Sequence, residues 1–205
     1  MKKVFRIFVL VTAIGILSAF ALNTGKEKIR VVIDAGHGGD DVGALNLHAQ
    51  EKEISLAIAN KIKALNTNEN IELLFTREED KLVSLSERVE KINALKPDLV
   101  LSLHINNSKN ISAEGMEAFV PKDLKHTAKS EELATKLLEI LGNKTDLKSR
   151  GVKTAPFYIL KKSEYPSIIV ELGFMSNPSD RAIITSDDHQ NKVAAAVLDF
   201  ISKIK

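Results

Sequence analysis

The chain has 205 residues, 44% of them hydrophobic and 27% charged, enough apolar material to bury the core of one domain and too much for disorder. Its formal net charge is +2, but without residues 1 to 21 and their three basic groups, 26 Lys plus Arg face 27 Asp plus Glu, so a nucleic-acid partner has no electrostatic support. With no cysteine, disulfides, thiolate metal sites and thiol nucleophiles are excluded, and any metal must be held by His, Asp or Glu.

The chain opens with Lys2, Lys3 and Arg6, an apolar run from Ile7 to Leu17, and the small residues Ala19 and Ala21. That three-part layout predicts a secretory signal over residues 1–22, with an uncleaved membrane anchor as its competitor, because the apolar stretch continued to Leu22 approaches the roughly 17-residue minimum for a span. A short polar linker, 23–28, leads to a single domain over 29–205. Ile29–Asp34 reads as a strand. Glu51–Leu65 reads as a helix, with Ile54, Ile58, Ile62 and Leu65 along one face. Ile71–Thr76 returns to strand character. Ser84 with Glu87 forms a capping-box signal for a helix to about Ala94, closed by Pro97. Asp98–Leu103 is apolar on both faces, as a central parallel strand is. Met116–Val120 follows as a strand, and Ser130–Leu141 as a helix stopped by Gly142. Phe157–Leu160 and Ser167–Leu172 read as strands, and Asp188–Lys205 as a closing amphipathic helix. The alternation predicts an α/β fold with a mostly parallel central sheet and helices on both faces.

In such sheets the ligand sits beyond the carboxyl ends of the strands. Three apolar strands here end in residues with acid-base or metal chemistry: His37 after VVID, His104 after LVLSL, and Glu171 after SIIV. Glu51 opens the first helix, where the dipole favours a carboxylate. Each has an ordinary reading alone, the histidines as turn or edge residues and Glu51 as a first-turn acid. A carboxylate ending an apolar strand is harder to place, since burial is costly unless charge compensates it. Together they suit a zinc hydrolase with two His and one Glu as ligands and a second Glu as base, although the local H-E-x-x-H pattern is absent. Glu53 points roughly 200° away from Glu51 on a helix, so both cannot face one metal. His48, His126 and His189 stand in polar contexts and are expected to be exposed.

The ordered blocks VVIDAGHGGDDVGA, EKEISLAIA, TREED, SLSERV, DLVLSLHIN, GMEAFV, RGVK and PSIIVELGFMSNPSD resemble the zinc-dependent N-acetylmuramoyl-L-alanine amidases of bacterial cell walls, the type 3 amidase family. The resemblance runs from about Ile29 to the C-terminus. It implies that His37, Glu51 and His104 bind Zn²⁺, favouring Glu51 over Glu53, and that Glu171 is the catalytic carboxylate. Asp40, Val42 and Asn107 depart mildly from the family pattern and touch no proposed ligand. Asn106 and Ser176–Pro178 match family positions without an assignable role. The implied activity is hydrolysis of the amide between N-acetylmuramic acid and L-alanine in peptidoglycan, for wall remodelling, daughter-cell separation or turnover. The expected enzyme is an exported monomer of the periplasm or cell envelope. It touches the membrane only if its first segment is retained, has no nucleic-acid partner, and lacks the long blocking insertion of some relatives, so an open site is expected; any regulatory protein is undefined. The alternatives are another zinc peptidase acting on wall peptides and an inactive peptidoglycan-binding module.

Overall fold

The structure, a computed structural model, describes residues 28–46 and 49–204, so the expected signal segment and His48 lie outside the described residues. Along the chain it contains β1 (Ile29–Ala35), β2 (Leu45–Asn46), β3 (Ala49–Gln50), α1 (Glu51–Leu65), β4 (Ile71–Phe75), α2 (Leu85–Leu95) and β5 (Leu99–Asn106). There follow β6 (Met116–Val120), α3 (Thr127–Lys144), β7 (Ser149–Thr154), α4 (Tyr158–Lys162), β8 (Ser167–Phe174), α5 (Pro178–Ile184) and α6 (Asp187–Ser202). Six strands form one sheet in the order β4-β1-β5-β8-β6-β7. The first four run parallel, β6 is antiparallel to β8, and β7 is parallel to β6. The α/β class and the mostly parallel sheet expected from the alternation are therefore what the chain adopts.

Strand alternation sends side chains to two faces. On one face Ile33, Leu101, Leu103, Ile168 and Val170 pack against α1, α3 and α6 through Ile58, Leu137 and Val197, forming the larger core. On the other, Val32 and Val100 meet Val89 and Ile92 of α2 and Ile159 of α4. Each such Leu, Ile or Val contributes about 1.5–3 kcal/mol by leaving water. The smaller cluster covers only part of the second face, which leaves the carboxyl ends of β5 and β8 open on that side.

Local signals hold where packing agrees with them. Ser84 and Glu87 form the capping box, Ser84 Oγ accepting from the Glu87 N–H while the Glu87 carboxylate accepts from the Ser84 N–H. Two expectations are corrected. Gly142 does not stop α3, which runs to Lys144, because Leu138 and Leu141 are buried and Thr145 closes the last turn by donating to Leu141 O. Phe157–Leu160 is not a strand: Ile159 and Leu160 are buried in succession while Phe157 and Tyr158 are exposed, a pattern one helical turn satisfies and alternation cannot. The polar edge strand β7 and the short α5 carry no hydrophobic period, and only their neighbours define them.

Beneath the open end lies a buried ionic cluster. Asp34, fully buried on β1, accepts from Arg88 Nη1 at 2.7 Å, Ser102 Oγ at 2.6 Å and Thr76 Oγ1 at 2.6 Å. Burial pushes the Asp34 carboxyl up, but the Arg88 charge and the two hydroxyls outweigh it and hold the group below its ordinary value near 3.8. Breaking a buried pair leaves the partner charge uncompensated, at a cost of about 3–5 kcal/mol. Arg88→Ala should therefore lower urea stability by about that amount at pH 7. Because the folded Asp34 is the stronger acid, the stability from this pair is present above pH 3.8 and is lost as pH falls through the folded value, so wild type and variant should converge in acid.

Candidate metal centre

The turn after β1 is shaped by two arginines. Arg77 donates from Nε to Ala35 O at 3.0 Å and from Nη2 to Gly36 O at 2.8 Å, and Arg88 donates to Ala35 O at 2.7 Å and to His37 O. With these carbonyls held from below, His37 adopts φ 58°, a left-handed conformation that costs an L-residue about 1–2 kcal/mol. Its ring is thereby turned over the end of the sheet. Gly36 leaves room for the second histidine, since a Cβ there would stand 2.5 Å from His104 Cε1. Gly43, at φ 67°, does the same for Glu51, whose Oε2 would lie 2.5 Å from an added Cβ.

Glu51 is the centre of the group. As the first residue of α1 it is buried, and its Oε1 accepts from Ile105 N at 2.9 Å and lies 2.8 Å from His104 Nδ1. Its Oε2 accepts from Ala44 N at 2.7 Å and lies 3.1 Å from His37 Nε2. On the far side of His37, Nδ1 lies 2.8 Å from Asp41 Oδ2, which fixes the ring. Ligand atoms of His37, Glu51 and His104 all lie within 4.8 Å of one another. Two imidazoles and one carboxylate suit Zn²⁺, so the donor set fits that ion. Glu53 is exposed on α1 and takes no part.

Glu171 lies beside this trio, paired in register with His104 on β5 and with Glu117 on β6. Its Oε2 is buried with no hydrogen-bond partner. Burial pushes its carboxyl up to about 7, helped by the Glu51 and Glu117 charges and opposed by His104 and His37. Burial likewise disfavours the charged forms at the three clustered residues, but their mutual hydrogen bonds outweigh it. His37 rises to about 9, His104 rises from 6.5, and Glu51 falls well below the usual carboxylate range.

The structure thus brings His37, Glu51, His104 and Glu171 to one place. Asp34, Asp41, Arg77, Arg88 and Glu117 support it and were not singled out from the sequence. Arg88 had a signal, since it stands four residues before Ile92 on the buried face of α2. Asn106 and the Ser-Asn-Pro turn have supporting jobs. Asn106 Nδ2 donates to Glu117, Asn177 caps α5 and donates to Ile111 O, and Ser176 Oγ accepts from Ser108 N. Asp180, accepting from Gly115 N and Phe174 N, completes the fastening of the 106–115 loop. His126 and His189 are buried rather than exposed, at 8% and 3%, each with both ring nitrogens unpartnered. Burial lowers their basicity, so they pack as neutral rings, which the polarity of their flanking residues does not reveal.

Residues 31–203 match the family profile described as N-acetylmuramoyl-L-alanine amidase. The YqiI protein of Bacillus subtilis is 36% identical over 85% of this chain and 84% of its own length. The N-acetylmuramoyl-L-alanine amidase LytC of the same organism is 36% identical over 82% of this chain, which spans only 34% of LytC. The catalytic domain of CwlV, an N-acetylmuramoyl-L-alanine amidase from Bacillus (Paenibacillus) polymyxa var. colistinus, superposes with a TM-score of 0.79 at 30% identity, covering 85% of this chain and 96% of that domain. A metal can be held only when both imidazoles are neutral, so titrating metal-free protein with a divalent ion at pH 7.5 should expel about one proton from His37, whose basicity is raised to about 9, and a further share from His104. Calorimetry in buffers of differing ionisation enthalpy reads that number, and a value near zero would contradict a protonated His37.

Proposed function

As the chain belongs to the N-acetylmuramoyl-L-alanine amidase family, we propose that it is a zinc-dependent peptidoglycan hydrolase. The bond cleaved is the amide joining the lactyl group of N-acetylmuramic acid to L-alanine of the stem peptide. The observation that carries this reading is the convergence of His37, Glu51 and His104 beside a buried, unpartnered Glu171 carboxylate oxygen. In this reading His37, Glu51 and His104 hold Zn²⁺, which when bound supplies the Lewis acidity that makes water acidic and the carbonyl electrophilic near neutral pH.

Glu171 supplies the proton transfers. Its carboxylate takes a proton from the attacking water as the oxygen adds to the carbonyl carbon, then gives that proton to the alanine nitrogen as the C–N bond breaks. A buried carboxylate with one oxygen free of hydrogen-bond partners is open to take up and return that proton. Asp41 keeps His37 oriented, and the bonds from Ile105 N and Ala44 N keep Glu51 from rotating. The reading includes export to the cell envelope or periplasm, with residues 1–22 as the signal, and action as a monomer. None of the described helices is long and apolar enough to cross a membrane.

Incubating the protein with purified sacculi and identifying the soluble products tests the reaction. Intact stem peptides with a free L-alanine amino group, lost on chelation and restored by zinc, are expected. Shortened peptides or single amino acids would assign a peptidase instead, and binding without release would assign a non-catalytic wall module. Glu171→Gln should retain zinc while kcat falls by about 10²–10⁴-fold. Glu51→Ala and His104→Ala should lose the metal itself, as read by elemental analysis of the purified variants.

A further inference from the structure

Four of the seven exposed large apolar side chains among the described residues border the metal centre: Leu82, Leu85, Phe157 and Tyr158, each between 41% and 59% exposed. Scattered exposed hydrophobes are ordinary, but a run of them on one rim of a polar site marks a contact surface. Leu82 and Leu85 come from the start of α2 and the loop before it, and Phe157 and Tyr158 from the start of α4. Leu85, Phe157 and Tyr158 share one open cleft with His37, His104 and Glu171, of about 230 Å³. The Phe157 ring is held edge-on against Phe119 of β6, with centroids 5.2 Å apart, so it does not fold back over the core.

The charge around the site is uneven. No lysine or arginine lines that cleft. Arg88, which lines the adjoining hollow, is paired with Asp34, and the exposed Lys161 and Lys162 close α4 beyond Tyr158, while Arg150 and Lys153 stand on the edge strand β7, past Glu117, whose single carboxylate both contact, at 2.9 and 2.6 Å. Two cations on one carboxylate leave a positive edge. The substrate of the proposed reaction is uneven in the same way. Its peptide half carries carboxylates, and its sugar half is uncharged with apolar C–H faces that stack on aromatic rings.

Resting on the amidase reading above, we propose that Phe157 and Tyr158, with Leu85 facing them, form the subsite for the N-acetylmuramoyl ring, and that the stem peptide leaves the scissile amide toward β7. The cleft, about 230 Å³, is small beside pockets for larger ligands, roughly 300–1,000 Å³, which suits a single ring better than several. Phe157 and Tyr158 are then specificity determinants that touch the sugar and not the reacting atoms. Amphipathic rings suit this work, since they offer contact area at little conformational cost.

The test compares two soluble substrates with the same stem peptide, one N-acetylmuramoyl-capped and one capped only with a lactoyl group, using zinc-loaded full-length protein. Tyr158→Ala and Phe157→Ala should each raise KM for the muramoyl substrate about tenfold and leave kcat within twofold, while both constants for the lactoyl substrate stay unchanged. Tyr158 does not share the ring contact that Phe157 makes with Phe119, so its variant keeps the test valid if Phe157→Ala disturbs Phe119. With metal-free protein, the muramoyl peptide should shift the Tyr158 ring resonances in NMR and the lactoyl peptide should not. Equal losses on both substrates would place peptide on the aromatic rim and overturn the proposal, as would unchanged KM on both. Failure of the wild type to turn over either substrate would instead overturn the amidase reading, and the NMR comparison would still decide where the sugar binds.

Discussion

Everything at this site depends on how three consecutive carbonyls, those of Ala35, Gly36 and His37, are held as β1 ends. A strand that runs out of partners at the edge of a core must find donors for its last oxygens. Here they come from two buried guanidinium groups. Arg88 is neutralised by Asp34, whereas Arg77, 1% exposed, disperses its charge over carbonyls and the Ser55 hydroxyl. This polar floor lets His37 turn into a left-handed conformation and project from the sheet. It also ties β4, α2 and β1 to a single point, so that the positions of His37 and of the sheet cannot vary independently.

Above that floor the four candidate residues are placed by three different devices. His104 and Glu171 sit at one register position on adjacent parallel strands, which fixes their separation by sheet geometry. Glu51 arrives as the first residue of α1, buried there by its bonds to Ile105 N and Ala44 N. His37 arrives through a turn. Rigid placement of the first two and a hydrogen-bonded carboxylate between the imidazoles produce a preorganised site, in which burial that would otherwise neutralise the charges is offset by the groups it brings together.

The surroundings divide by polarity along the same lines as the sheet. Helices α2 and α4 cover the second face only partly, and their exposed starts carry the apolar rim. The extension by β6 and β7 carries Arg150 and Lys153, and α4 ends in Lys161 and Lys162.

Much of this was legible in the sequence. Apolar runs of strand length, the 3.6-residue period of Glu51–Leu65 and the Ser84–Glu87 capping box are local, so they determine the elements. Three strands ending in His or Glu, with the ordered blocks of family resemblance, were enough to nominate His37, Glu51, His104 and Glu171. The tertiary structure decided what local pattern cannot carry. Buried leucines keep α3 helical through Gly142, and Phe157–Leu160 becomes a helical turn because two successive side chains must be buried. His126 and His189 are buried despite polar neighbours. Arg77 and Arg88 look like surface charges until the fold brings them beneath β1. Local periodicity is set by the backbone's own repeat. Burial of a charged group is decided by partners dozens of residues away, as Asp34 and Arg88 are, and only the folded chain brings those partners together.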